Sequence, residues 1–224
     1  MRAMVSWSGG KESALALYRA QQAGHRPVCL LNCVDAAGER AMSHGVPAAL
    51  IAAQAEALGL PISQPRVTWE SYEERFKSAL LEIKRQHGIE AGVFGNIDVA
   101  EHRQWVERIC RETGIEPLLP LWGAEREALL EELLLLGFKA IIVNALSEPL
   151  GPAWIGRQLG TVSLEELRKR PVDLCGEKGE YHTLVIDGPI FASAIVLQHA
   201  TITEHGDRFF LEIAKFTLKL KVEE

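Results

Sequence analysis

Short apolar runs alternate with amphipathic stretches along the first two thirds of the chain. That pattern predicts a parallel sheet with helices packed on it. Strands are expected at residues 3–7, 27–34, 61–68, 91–95 and 139–146. Between them, helices are expected at 11–23, 47–58, 71–86 and 125–136, with one more after Asp98, which can cap it. The third helix places Tyr72, Phe76, Ala79, Leu80 and Ile83 on one face, the spacing of a buried helical stripe. Gly59 and Gly137 stand where helices stop. Continuous apolar strands such as Val28-Cys29-Leu30-Leu31 and Ala140-Ile141-Ile142-Val143 imply burial on both faces.

The pattern breaks at Ser147-Glu148-Pro149-Leu150-Gly151-Pro152, where prolines and glycine interrupt any regular element. The expected boundary falls there, with one domain over 1–146 and a smaller α+β domain over 147–224. After the break come a helix at 163–169, a strand-like run at 195–203, and a turn at His205-Gly206-Asp207. The last strand alternates Ala214, Phe216, Leu218, Leu220 and Val222 with Lys215, Thr217, Lys219 and Lys221, so one of its faces is wet.

Composition narrows the partners. With 24 Lys+Arg against 30 Asp+Glu, the net charge is −6, which disfavours a main role in gripping a nucleic-acid backbone. No signal-peptide pattern or membrane-length apolar run is visible. The four cysteines, at 29, 33, 110 and 175, match no zinc spacing and read as reduced thiols. A cytoplasmic location is expected.

The most informative stretch is Ser6-Trp7-Ser8-Gly9-Gly10-Lys11-Glu12-Ser13. It joins the first strand to the first helix, where free backbone N–H groups and the helix dipole favour an anion. It is not a Walker loop, which needs Gly and Ser/Thr where Val5 and Glu12 stand. A second polar cluster runs Cys175-Gly176-Glu177-Lys178-Gly179-Glu180-Tyr181-His182-Thr183. Its glutamates can hold Mg²⁺, orient an amine or act as a base.

Ser8-Gly9-Gly10-Lys11-Glu12-Ser13 resembles the PP-loop of enzymes that cleave ATP between its α and β phosphates, with Glu12 in place of the usual Asp. Taken with Gly95-Asn96-Ile97-Asp98 and Arg103, Pro120-Leu121-Trp122 and the Cys175–Thr183 segment, the chain resembles the diphthine–ammonia ligase family of PP-loop ATPases. The resemblance implies a Rossmann-like nucleotide alpha hydrolase domain, helices on both faces of a parallel sheet, and a smaller substrate domain. It implies that Ser6, Ser8, Gly9, Gly10, Lys11, Glu12 and Ser13 bind ATP, helped by His44, Gly95, Asn96, Asp98 and Arg103, with Asp98 on Mg²⁺. Cys175, Gly176, Glu177, Gly179, Glu180, Tyr181, His182 and Thr183 would line the substrate side, and Lys11, Glu177, Glu180 and His182 would carry the chemistry.

The implied reaction adenylates a carboxylate, releases pyrophosphate and passes the acyl group to ammonia. The acid is either protein-bound diphthine or a small molecule, the second belonging to a sister group of the family. Two other readings stay open: a PP-loop enzyme of tRNA modification or thiolation, and a nucleotide-binding module without catalysis. Trp105 and Trp122 are expected either to shape the cleft or to fill helix packing.

Overall fold

The structure, a computed structural model, describes residues 1–221. Its first sheet holds β1 (Arg2–Ser6), β2 (Arg26–Leu31), β3 (Ile62–Ser63), β4 (Ala91–Val93) and β5 (Glu116–Leu118). All pairings are parallel and the order is β3-β2-β1-β4-β5. The helices are α1 (Lys11–Gln22), α2 (Ala48–Leu58), α3 (Tyr72–His87) and α4 (Ala100–Thr113).

Side-chain alternation along the strands explains why both faces are covered. Ala3, Val5 and Trp7 join one buried cluster with α1 and α2, while Met4 joins a second cluster with α3 and α4. In the same way, Leu30 faces the first cluster, whereas Cys29, Leu31 and Cys33 face the second. Cys29 and Cys33 therefore share a face as buried free thiols. Gly59 ends α2 at φ 65°, a left-handed conformation that glycine adopts without a Cβ clash.

The second sheet is antiparallel, in the order β7-β6-β9-β8. It comprises β6 (Lys139–Leu146), β7 (Tyr181–Asp187), β8 (Ser193–His205) and β9 (Arg208–Leu220), with α5 (Arg126–Leu135) and α6 (Thr161–Leu167) beside it. The fold class is thus a helix-covered parallel sheet with a smaller α+β part, as the pattern suggested.

One strand is reassigned. β6 does not extend the parallel sheet; it lies between β7 and β9 in the antiparallel one. Its unbroken apolar run reported burial on both faces, which a central antiparallel strand also has, so the run carried no information on direction. The change of sheet consequently falls between β5 and β6, ahead of the proline-rich break. β5 was not foreseen: it is three residues long, contains Pro117 and lies at the sheet edge, where proline is tolerated. β3 is shorter than its apolar run suggested.

The two sheets are not separated by a linker. One buried cluster runs from Val5, Leu15 and Ile51 to Ile142, Leu184 and Ile195. The β8–β9 hairpin turns at Gly206 and Asp207 as expected, with Gly206 at φ 63°. Val222, expected to finish the last strand, lies outside the described residues.

Candidate active site

In the order β3-β2-β1-β4-β5, connections turn to opposite sides at β1 and β4. Their carboxyl ends form the switch point at which open α/β sheets bind ligands. The turn at Ser8–Gly10 follows β1, and Gly95-Asn96 follows β4. α1 begins at Lys11, so the turn's amides stand at a helix N-terminus, where partial positive charge collects.

Two glycines make the geometry possible. Gly9 has φ 83°, and a Cβ there would stand 2.5 Å from Ile51 Cδ1 and 2.6 Å from Gln54 Oε1. A Cβ on Gly95 would come within 2.9 Å of the Glu12 carbonyl carbon, so the end of β4 lies directly against the backbone of α1. Within the turn, Gly10 N–H donates to Ser8 Oγ at 3.2 Å, and the Ser13 hydroxyl donates to Gly10 O at 2.9 Å.

A cleft of about 170 Å³ opens beside this turn. Ser6, Ser8, Glu12, Ser13, Gly95 and Asn96, all expected at a nucleotide, line it. Its other wall holds Leu31, Asn32, Cys33, Ser43, Tyr72 and Phe76. The Tyr72 and Phe76 rings are stacked at an interplanar angle of 21°, with centroids 6.1 Å apart, and they give the cleft an apolar side. Trp105 packs on them and donates to Glu73, so it supports this wall from behind.

The glutamate-bearing segment folds against the same turn. Val185 N–H donates to Gly9 O at 2.9 Å. Lys11 N–H donates to Thr183 Oγ1 at 3.1 Å, and its ammonium donates to Cys175 O at 2.6 Å. Lys11 is 4% exposed. Its Nζ stands 2.5 Å from Glu12 Oε1 and 4.9 Å from the Tyr181 ring centre. Burial alone would lower the Lys11 pKa, but Glu12, with Tyr181 and Cys175, outweighs it and raises it. The Glu12 contact is one of charges: the same buried oxygen has no aligned hydrogen-bond donor.

Several residues expected to touch ligand instead build the segment. Glu180 is buried and accepts from Asp173 N at 2.8 Å and Lys178 N at 3.1 Å. A carboxylate that closes its own loop is a staple, and it does not point into the cleft. The Cys175 thiol is buried, donates to Arg126 O at 3.4 Å and has its pKa pushed up to about 12, chiefly by burial. Tyr181 lies under the Lys11 ammonium and bonds Leu174 O. Gly176, at φ 70°, would bring a Cβ within 2.7 Å of Tyr181 O. Gly179 O accepts from Arg208 at 2.7 Å.

Glu177 differs. It is half-buried, and burial, then the Glu12 charge, pushes its pKa up to about 7 against the pull of Lys11 and Arg126. His44 and His182 stack with centroids 4.8 Å apart. His44 Nδ1 lies 3.1 Å from Thr183 O, so that nitrogen carries the proton. Burial, then Lys11, holds His44 down to about 4; burial, then His44, Arg208 and Lys11, holds His182 down to about 3. Both rings are therefore neutral at pH 7.

Asp98 and Arg103 do not sit as expected. Asp98 does not cap α4, whose N-cap is Val99. Both of its oxygens hold Arg126, at 2.7 and 2.9 Å, so neither is presented to a metal. Arg126 also reaches Asp173 in the glutamate-bearing segment, and Asp173 in turn accepts from Cys175 N at 2.8 Å. Arg103 is exposed on α4, pairs with Glu107 at 2.6 Å and covers the Trp122 ring. Among the described residues no three His, Cys, Asp or Glu side chains form a metal cluster.

Three residues of this site were given no role by the sequence: Gln54, Asp173 and Arg126. Gln54 and Arg126 come from helices outside every motif. Gln54 left a signal as the one polar residue in Leu50-Ile51-Ala52-Ala53-Gln54-Ala55.

The family described as diphthamide synthase N-terminal domain matches residues 1–117, and that described as diphthamide synthase C-terminal domain matches residues 125–219. The diphthine–ammonia ligase of Bos taurus is 28% identical, covering 100% of this chain and 93% of the relative. Those of Rattus norvegicus and Danio rerio are 29% and 28% identical across the whole chain, covering 93% and 97% of their own lengths. On these matches, the chain belongs to the diphthamide synthase family.

Proposed function

We propose that this protein is an ATP-dependent ligase that cleaves ATP to AMP and pyrophosphate, adenylates a carboxylate and amidates it with ammonia. The observation that carries the reading is the contact between the two polar segments. Lys11 of the turn bonds Thr183 and Cys175 of the glutamate-bearing segment, so a phosphate on the turn lies within reach of both. The names of the relatives, diphthine–ammonia ligases, support the amide-forming chemistry and make diphthine the first acid to try.

A carboxylate resists ammonia because oxide is a poor leaving group. Attack of its oxygen on the α-phosphate expels pyrophosphate and leaves an acyl-adenylate, whose leaving group is AMP. The protein's task is to hold these partners in line and to stabilise charge on the departing pyrophosphate. The Ser8 and Ser13 hydroxyls line the cleft as donors, and the Gly10 amide holds Ser8 Oγ in place. Lys11 supplies a buried cation that is fixed at its far end by Cys175 O. The wall of Tyr72 and Phe76 takes the base.

Glu177 is the group suited to take a proton from the attacking nitrogen, since a carboxyl near pKa 7 is poised for transfer at neutral pH. His182 and His44, neutral and stacked, pack beside Gly10 and Thr183. Mg²⁺ would meet Glu12 at the cleft wall only in competition with the Lys11 ammonium already on its Oε1; it would be held mainly by phosphate oxygens and water. When bound, it would neutralise charge on the polyphosphate. The four cysteines are buried, and burial raises the pKa of each thiol. This argues against a thiolation enzyme, which needs an accessible thiolate.

The test is product analysis with ATP, ammonium and candidate acids, a diphthine-bearing protein among them. AMP and pyrophosphate should form in amounts tied to the acid, with amide appearing only when ammonium is present. ADP and phosphate as products, or no dependence on any acid, would overturn the reading.

A further inference from the structure

Gln54 is wholly buried, at 0% exposure, in the alanine-rich helix α2. A buried primary amide is costly unless both N–H groups and its oxygen find partners. Here all three do. Its Nε2 donates to Gly9 O at 3.0 Å and to Val185 O at 2.7 Å, and its Oε1 accepts from the Trp7 indole at 2.9 Å. Trp7 and Gly9 belong to the phosphate-facing turn; Val185 belongs to β7, the strand that follows the glutamates.

The geometry bears on the turn's amides. Gly9 O accepts from both Gln54 Nε2 and Val185 N, so both of its lone pairs are used inside the protein. A peptide unit is planar and trans, with its carbonyl and N–H pointing opposite ways. With the Gly9 carbonyl drawn inward, the N–H of Gly10 must face outward, and it is found on Ser8 Oγ at 3.2 Å. Glycine at 9 is free to flip this peptide. Gln54 supplies one of the two bonds that stop it.

Resting on the ligase reading above, we infer that Gln54 is a positioning residue for the reaction. It fixes the Gly9–Gly10 peptide with its N–H on Ser8 Oγ, a residue that lines the cleft, and ties that peptide to β7, so the turn and the glutamate-bearing segment hold one register. It touches no reacting atom and acts through Gly9, Trp7 and Val185.

The test compares the unsubstituted protein with Gln54→Met, which keeps length and loses all three bonds, and Gln54→Glu, which keeps the acceptor for Trp7. ATP binding is measured by calorimetry, KM for ATP and kcat by pyrophosphate release, and stability by thermal unfolding without nucleotide. For Gln54→Met, Kd and KM for ATP should rise by about tenfold or more, the factor expected when one well-placed polar interaction is lost. This rise should appear at temperatures where the variant is fully folded. For Gln54→Glu, affinity should approach that of the unsubstituted protein at low pH, where a protonated carboxyl can still donate. It should fall as the pH rises and a carboxylate faces two carbonyl oxygens. A purely architectural glutamine predicts a lower unfolding temperature with unchanged Kd and KM, and that result overturns the inference. If Gln54→Met does not fold, the Gln54→Glu pH profile decides: an ATP affinity equal to that of the unsubstituted protein at every pH overturns it. An unsubstituted protein that fails to bind ATP overturns the ligase reading itself, and this inference with it. Binding that survives unchanged in both variants overturns this inference alone.

Discussion

The ammonium of Lys11 donates to the carbonyl oxygen of Cys175 at 2.6 Å, across 164 residues of sequence. This bond closes the turn after β1 onto the segment before β7. It gives two separate polar motifs one location.

Replacing Lys11 by Met removes the cation while keeping much of the side chain's bulk. Formation of AMP and pyrophosphate should drop by about 10²–10³-fold, the usual loss when one preorganised electrostatic group is removed from a reacting site. Pyrophosphate release at the original rate would contradict the role given to Lys11.

Glu177 makes a pH prediction for both rate and stability. As a base it must be ionised, so kcat should rise with pH through about 7. Glu177→Gln should lose about 10²–10⁴-fold in rate and lack that rise. Its pKa is raised from 4.5 unfolded to about 7 folded, so between those values the native state holds the extra proton. Stability should therefore fall as pH rises from about 4.5 to about 7, and the Gln variant should be free of that slope. Urea unfolding across this range measures it.

The stacked pair of His44 and His182 predicts acid sensitivity of the opposite sense. Their pKa values fall from 6.5 to about 4 and about 3 on folding. Below pH 6.5 the unfolded chain takes up protons that the folded one refuses, so stability is lost as pH falls toward 4. His182→Asn should shift the acid-unfolding midpoint downward. The imidazole resonances of His44 and His182 in the folded protein should show no titration between pH 5 and 8.

Arg126 links Asp98, after β4, to Asp173 in the glutamate-bearing segment. Arg126→Met should leave the parallel sheet intact and speed amide hydrogen exchange over residues 173–180. Exchange in that segment unchanged from the unsubstituted protein would show that Glu180 and the backbone hold it without help. Glu180→Gln, which disturbs the staple itself, should cost about 1–3 kcal/mol of stability.

Much of this was legible because local physics dominated it. The turn at Ser8 announces itself by glycines after a buried strand, and the two-face burial of the parallel sheet follows from the unbroken apolar run Val28-Cys29-Leu30-Leu31. What was not legible depended on partners distant in sequence. The run Ala140–Val143 shows burial, but only its neighbours β7 and β9 decide that it runs antiparallel. Asp98 and Arg126 are 28 residues apart, and without the fold Asp98 reads as a free carboxylate, a cap or a metal ligand. Glu177 and Glu180 look equivalent in the sequence. Only the hydrogen bonds from Asp173 and Lys178 separate the staple from the carboxyl left facing the charges of Glu12 and Lys11.

The most direct test of a single shared site is a crystal structure with Mg²⁺ and α,β-methylene-ATP, which cannot be cleaved between its first two phosphates. The base should lie beside Tyr72 and Phe76, the β and γ groups on the turn at Ser8–Gly10, and the α-phosphorus between that turn and Glu177. A nucleotide bound elsewhere, or one whose α-phosphate lies far from Glu177, would contradict the account.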